Sequence, residues 1–269
     1  MTEMDRRDYV QSIERALLVI NAFTDTGPLL SVSALATSTG LSRPTVRRIL
    51  LTLQQLEYVR AEGSAYALTP RVLALGYAYL SSLNLPALAQ PVMEALTEEL
   101  GEGTSLATLD QTEVVYVNRV QRHRITSINL AVGTRLPAHA TSMGQVLLAD
   151  LGAQALERYF AAAQLRALTE RTLTSRSALV ERLELVRRRG WAAVDQELEI
   201  GRRSAAAPVR DAGGKVVAAL SLSSGTSDRS MADLIDTCVP ALVAAAGKMS
   251  AALGDGGYAM RGARPAAPG

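Results

Sequence analysis

Two groups of residues in this 269-residue chain have the types and spacing for chemistry. The first is Ser42, Arg43, Pro44, Thr45, Arg47 and Arg48, at the head of a stretch, 42–55, that holds no acidic residue. A guanidinium presents planar pairs of N–H donors that match phosphate oxygens or the major-groove edge of guanine. Arg47 or Arg48 is expected to read guanine while the others mainly hold phosphates. The second group is His139, Ser142, Met143, Ser204, Ser221 and Ser223. A helix predicted to start at Thr141 leaves the Ser142 and Met143 amides free for a carboxylate, helped by the helix dipole. Ser221 and Ser223 alternate on a predicted strand and share one face, with Ser204 on a neighbouring segment. Their hydroxyls either line a site for a polar ligand or face water. His139 either orders the loop ahead of the helix or touches the ligand itself.

Catalytic chemistry finds little purchase. Asp195, Glu197 and Glu199 form an acidic run, but no nucleophile, base and orienting group can be named beside it. The two histidines are His123 and His139. GxSxG, P-loop, HExxH and complete GxGxxG motifs are absent from the sequence. The single cysteine, Cys238, sits in an apolar helical stretch and permits neither an intrachain disulfide nor a thiolate metal cluster. No catalytic residue, metal ligand or cofactor is therefore expected.

The elements that must position these residues follow from periodicity. SIERALLVINAF is a predicted helix with Ile13, Ala16, Leu17, Ile20 and Phe23 on its inner face. In ALATSTGLSRPTVRRIL, Ala36 stands four residues before Gly40 and Val46 six after it. This is helix-turn-helix spacing: a small residue for close approach, glycine for the sharp turn, and an apolar anchor on the second helix. Ser42 caps that helix, Pro44 fits its first turn, and Val46, Ile49, Leu50, Leu53 and Leu56 form its inner side. Residues 59–69 read as a hairpin, a wing in which Arg60 and Tyr66 are candidate backbone contacts. A helix from Pro70 follows, apolar around most of its circumference, which calls for a second subunit or for packing on its own chain. Beyond Pro86 come a helix at 87–100, strands at 104–109, 114–120 and 125–132, a helix at 141–151 and further helical segments through Arg189. Strands at 191–194, 205–210 and 216–223 and a helix at 231–253 complete an α+β domain. The one tryptophan, Trp191, is expected near the ligand site.

Composition sets the outer bounds. A net charge of +2 decides nothing about partners, and aromatics at 4% are too scarce for stacking on single-stranded bases, which points to duplex DNA. The first nine residues lack an apolar signal core, and no uninterrupted apolar run approaches the ~18 residues of a membrane span. A cytoplasmic location is expected.

Nearly the whole chain, from YVQSIERALLVINAF to GRRSAAAPVRDAGGKVVAALSLSS, resembles the IclR family of bacterial regulators. The most specific segments are VGTRLPAHATSMGQVLLA and GWAAVDQELEIGRRSAAAPV, worded like the branch that controls catabolism of 4-hydroxybenzoate, protocatechuate and β-ketoadipate. The resemblance implies a winged helix-turn-helix (1–69), a linker helix (70–85) and a GAF-like effector domain (86–253) with an antiparallel sheet flanked by helices; the tail (254–269), rich in Gly, Pro and Ala, reads as disordered from its composition. It also implies homodimers, often paired into homotetramers, on palindromic operators. It places Leu136, Ser142, Met143, Ser204, Ser221 and Ser223 around the effector, with Asp195 adjacent. Arg202 and Ala205 stand where bulkier apolar residues are common in the family.

The expectation is thus a sequence-specific DNA-binding transcription regulator controlled by a small effector, an aromatic carboxylate first and a dicarboxylate or keto acid second. The alternative is an enzyme or ligand carrier with a vestigial DNA-binding domain.

Overall fold

The computed structural model describes residues 9–76, 85–121 and 131–254. The chain divides into two compact units, Met1–Ser82 and Leu83–Gly269.

The first unit runs α1 (Gln11–Thr26), β1 (Leu30–Ser31), α2 (Val32–Thr39), α3 (Arg43–Gln55), β2 (Val59–Glu62) and β3 (Ala65–Leu68). The strands form an antiparallel sheet in the order β1-β3-β2. Gly40 closes α2 with φ at 69°, the left-handed conformation that the turn into α3 demands and that a β-carbon disfavours. The core joins Val19 and Phe23 of α1, Leu35 of α2, and Val46, Leu50 and Leu53 of α3. Two expectations need correction. On α1 the buried residues are Val19, Ala22 and Phe23, whereas Ile13 and Leu17 are 58% and 49% exposed. The helix is apolar on more than one side, and the core takes the side of Val19, Ala22 and Phe23, with Ile20 packed at its edge. Leu56 follows the last turn of α3 and is 51% exposed, so the helix ends before that residue can reach the core. After β3 a 3₁₀ turn occupies Pro70–Val72. Residues 77–84, half of the expected linker helix, and the tail beyond Gly254 lie outside the described residues.

The second unit is built on a six-stranded antiparallel sheet in the order β6-β5-β4-β9-β8-β7. The strands are β4 (Gly103–Asp110), β5 (Glu113–Val120), β6 (Arg135–Pro137), β7 (Ala192–Asp195), β8 (Arg202–Arg210) and β9 (Val216–Gly225). The expected strand at 125–132 falls mostly outside the described residues, and β6 forms later, at Arg135–Pro137. Pleating divides the side chains between two faces. Thr104, Leu106, Leu220, Leu222, Ala205 and Ala207 share one face, on which α4 (Leu85–Leu100) and α8 (Met231–Gly254) pack. The other face carries α5 (Ser142–Ala149), with α7 (Arg176–Arg189) against it and α6 (Ala153–Ala162) joining the same core.

Helix α8 contains a π-turn at Leu234–Cys238 and is long and apolar enough to cross a bilayer by length and composition. Its Leu234, Cys238, Val239, Leu242, Ala245, Ala246 and Met249 are buried, and it packs on β8 and α4 as a core helix does.

Candidate functional site

The first candidate surface is the outer side of α3. Its core anchors, Val46, Leu50 and Leu53, recur at helical spacing and fix which side faces outward. Ser42 adopts an extended conformation and its Oγ accepts the Thr45 amide at 3.4 Å, while the two hydroxyls lie 2.8 Å apart. Arg43, Pro44, Arg47 and Arg48 are exposed and Thr45 is half-buried. Among the described residues no carboxylate pairs with Arg43, Arg47 or Arg48, so their donors are directed at solvent. Arg60, on the wing, is placed differently: Glu62 two residues on forms an ion pair with it. Tyr66 is half-buried on β3 and packs against the core of this unit.

The second candidate is a cavity of about 690 Å³ on the α5 side of the six-stranded sheet. It exists because the strands offer small polar residues where a core would offer leucine. Ser105 pairs with Ser221, Gly103 with Ser223, and Ser204 with Ser223, all pointing to the same face. Ala140, Thr141, Ser142 and Met143 line it at the head of α5, Leu198 to Gly201 from the loop between β7 and β8, and Arg202 and Arg203 from the start of β8. Thr141 caps α5 by accepting the Gly144 amide at 3.0 Å. The Ser142 and Met143 amides belong to the first turn, where helical N–H groups lack a partner one turn back. Ser142 Oγ and Ser204 Oγ lie 2.9 Å apart, which ties the helix start to β8. Gly144 lets the Ala138–Ala140 turn lie against α5: a β-carbon there would stand 2.0 Å from the Ala138 carbonyl oxygen.

Of the residues expected at the effector site, the structure brings together Leu136, Ser142, Met143, Ser204, Ser221 and Ser223 along this one cavity. His139 and Asp195 do not line it, although Asp195 is adjacent, paired with the lining Arg203. His139 is 2% exposed, and its Nε2 lies 3.1 Å from the Arg166 carbonyl, a contact that requires the proton on Nε2. Its own carbonyl accepts from Gln145 Nε2 at 3.3 Å. Of the two roles open to His139, this geometry is that of ordering the loop. Asp195 pairs with Arg203 at 2.7 Å and with Arg171. Burial pushes its carboxyl up, but hydrogen bonding and charge from Arg203, with help from Gln196 and Arg171, hold it below its ordinary value. Trp191 also lies off the cavity, with the Arg189 guanidinium 3.8 Å from its ring centre.

The cavity holds residues that sequence reasoning missed. Tyr116, Arg119 and Gln121 line it from β5 and its end, and Arg202 from β8. Tyr116 and Arg119 are three apart, which on a regular strand places them on opposite faces. The register shifts between Leu106 and Ala107, so Val117 is an extra residue on β5, and both side chains reach the cavity side. Burial lowers the Arg119 pKa below its ordinary value, Tyr116 acts against that, and the positive charge of Arg202 adds to the lowering.

Glu197 was also missed. It is 4% exposed, receives Arg182 Nη1 at 2.8 Å and Gln145 Nε2 at 3.0 Å, and pins the loop that walls the cavity. Thr169 and Thr172 donate to the Gln196 and Glu197 carbonyls at 2.7 and 2.6 Å. Burial raises the Glu197 pKa, against the opposing pull of Arg182 and Gln145.

A winged helix that presents arginines and a separate unit that encloses a polar chamber are the two parts of a transcription regulator that answers to a small molecule. The IclR helix-turn-helix domain model matches residues 12–63, and the bacterial transcriptional regulator IclR C-terminal model matches residues 77–251. The chain belongs to the IclR family. It is 41% identical over 239 residues to the Pca regulon regulatory protein of Pseudomonas putida, covering 88% of this chain and 82% of that protein. It is 34% identical over 245 residues to the p-hydroxybenzoate hydroxylase transcriptional activator of Acinetobacter baylyi, covering 89% and 90%. Among solved structures, an IclR homolog from Microbacterium hydrocarbonoxydans in complex with 4-hydroxybenzoate superposes with a TM-score of 0.80. That protein is 26% identical, with 90% of this chain and 98% of the other covered.

Proposed function

We propose that the chain regulates genes of aromatic catabolism by binding an operator through α3 and a carboxylate effector in the sheet cavity. An aromatic carboxylate or a related catabolic intermediate is the effector class. The observation that carries this reading is a 690 Å³ chamber that meets the first turn of α5, with serine hydroxyls along its floor. A carboxylate there accepts from the Ser142 and Met143 amides, with Ser204, Ser221 and Ser223 as polar neighbours and Leu136 as apolar wall. On the DNA side Arg47 or Arg48 reads guanine, while Ser42, Arg43, Pro44, Thr45 and Arg60 meet the backbone. Arg60 must exchange Glu62 for a phosphate to do so. The protein acts in the cytoplasm as a homodimer or dimer of dimers. The exposed Val10 just ahead of α1, with Ile13 and Leu17 on it, supports association.

Calorimetry with 4-hydroxybenzoate, protocatechuate and β-ketoadipate tests the effector half. Saturable binding of one supports it, and no heat with any of them removes it. For the DNA half, duplexes are first selected from a random pool by the wild-type protein. Replacing Arg47 or Arg48 by alanine is expected to cost about 1–3 kcal/mol at the one that reads guanine and to relax preference at that base. Binding unchanged in both variants would remove α3 from the groove.

A further inference from the structure

Effector control needs a route from the cavity to the chain that comes from the DNA-binding unit, and that chain enters the second unit at the start of α4. The sheet separates the cavity from α4, and two neighbours on β5 face the two sides. Asn118 stands opposite Leu106 and so shares the face on which α4 packs. Arg119 stands opposite Ser105 and lines the cavity. Asn118 is buried and uses both ends of its side-chain amide. Its Nδ2 donates to the Pro86 carbonyl, in the first turn of α4, at 3.0 Å, and its Oδ1 accepts the Arg119 main-chain N–H at 2.7 Å. An amide held at both ends passes a shift of one partner to the other, because breaking either bond leaves a buried polar group unsatisfied.

Helix α4 is built so that its first turn can answer separately. Pro91 lacks the N–H that would bond the Ala87 carbonyl, which loosens the helix between its first turn and the rest. Beyond Pro91 the helix is fixed. Met93 and Leu96 are buried, and the Thr104 hydroxyl of β4 donates to the Met93 carbonyl at 3.3 Å and lies 2.9 Å from the Thr97 hydroxyl. At the far end Arg229 Nη2 donates to the Leu100 carbonyl at 3.0 Å. Before Pro91, Leu85 and Ala89 are buried, and among the described residues the polar tie to the sheet is the one from Asn118.

We infer that Asn118 is the positioning residue that carries occupancy of the cavity to the first turn of α4, and so to the DNA-binding unit. This rests on the reading of the cavity as the effector site. A ligand that displaces the Tyr116 or Arg119 side chain moves β5 at its bulge, and the Asn118 amide follows. The turn before Pro91 is then pulled or released while the rest of α4 stays in place. Asn118 does not line the cavity, so it sets how far binding is felt and leaves the strength of binding alone.

The test uses the full-length protein, a duplex selected from a random pool by the wild type, and 4-hydroxybenzoate, protocatechuate and β-ketoadipate. Calorimetry gives the Kd of each compound, and fluorescence anisotropy gives the Kd of the duplex with and without a saturating amount of the one that binds. In the wild type that compound is expected to change duplex affinity by about fivefold or more, in either direction. Asn118→Leu fills the same space without either hydrogen bond. It is expected to keep the compound's Kd within about threefold of wild type while the change in duplex affinity falls below about twofold. Pro91→Ala returns the missing N–H, stiffens α4 and is expected to reduce the response in the same sense, so a poorly folded Asn118→Leu leaves the question decidable. A response that survives in either folded variant, or that is lost only together with binding of the compound, overturns the inference while the effector site stands. So does a wild type that binds the compound without any change in duplex affinity. If no compound binds, or no duplex is selected, the proposed function falls and the inference with it.

Discussion

Glu197 and Asp195 stand two residues apart and respond to pH in opposite senses. Asp195 has its pKa lowered, so its contribution to stability is present above its ordinary value of 3.8 and is lost as pH falls through the native value. Glu197 has its pKa raised above 4.5, so the folded state takes up a proton. Its contribution is fully present below pH 4.5 and is lost as pH rises through the native value. Above that window the buried carboxylate is a cost that a neutral isostere avoids. Glu197→Gln is therefore expected to gain on the wild type as pH rises from 4 to 7, followed by thermal melting. A wild type that gains on the variant over that range would contradict the assignment. The sequence could not show this role, because Arg182 and Gln145 lie 15 and 52 residues away from Glu197. The serines were legible because their alternation on β9 survives intact, whereas Arg119 was hidden by the bulge at Val117.

Among the elements, α3 was the most legible and α1 the least. The turn glycine, the cap and the anchors of α3 are all local, and Ser42, Gly40, Val46, Leu50 and Leu53 take the places their types imply. Ser42→Ala removes the acceptor for the Thr45 amide and is expected to destabilise the N-terminal unit by about 0.5–2 kcal/mol. Chemical denaturation of the variant measures this, and a loss below that range would show the 3.4 Å contact to be idle. On α1, hydrophobicity alone does not say which side the core will take. Val19, Ala22 and Phe23 are chosen by contact with α2 and α3, information that lies outside the helix. Likewise β8 begins at Arg202 and not at 205, because Arg202 pairs across to Gly225 of β9.

For the molecule as a whole, the six-stranded sheet separates the residues that hold it together from those that line the cavity. One face carries Leu106, Leu220 and Leu222 in fully buried contact with helices. The other packs Ala107, Ala206 and Ala219 into a second core with α5, α6 and α7, and its stretch of Gly103, Ser105, Ser204, Ser221 and Ser223 borders open space. Ser221→Leu, which projects a larger side chain into the cavity, is expected to weaken the effector by tenfold or more while the melting temperature moves by only a few degrees. Calorimetry and melting on the same sample check it, and effector affinity within twofold of wild type would refute it. The consequence reaches beyond one variant. When stability resides in the packed parts of a sheet and recognition in one unpacked stretch of it, lineages can exchange floor residues without passing through unfolded intermediates. New chemical vocabularies then evolve on an unchanged scaffold, and a designer can retune the sensor by drawing substitutions from that stretch alone.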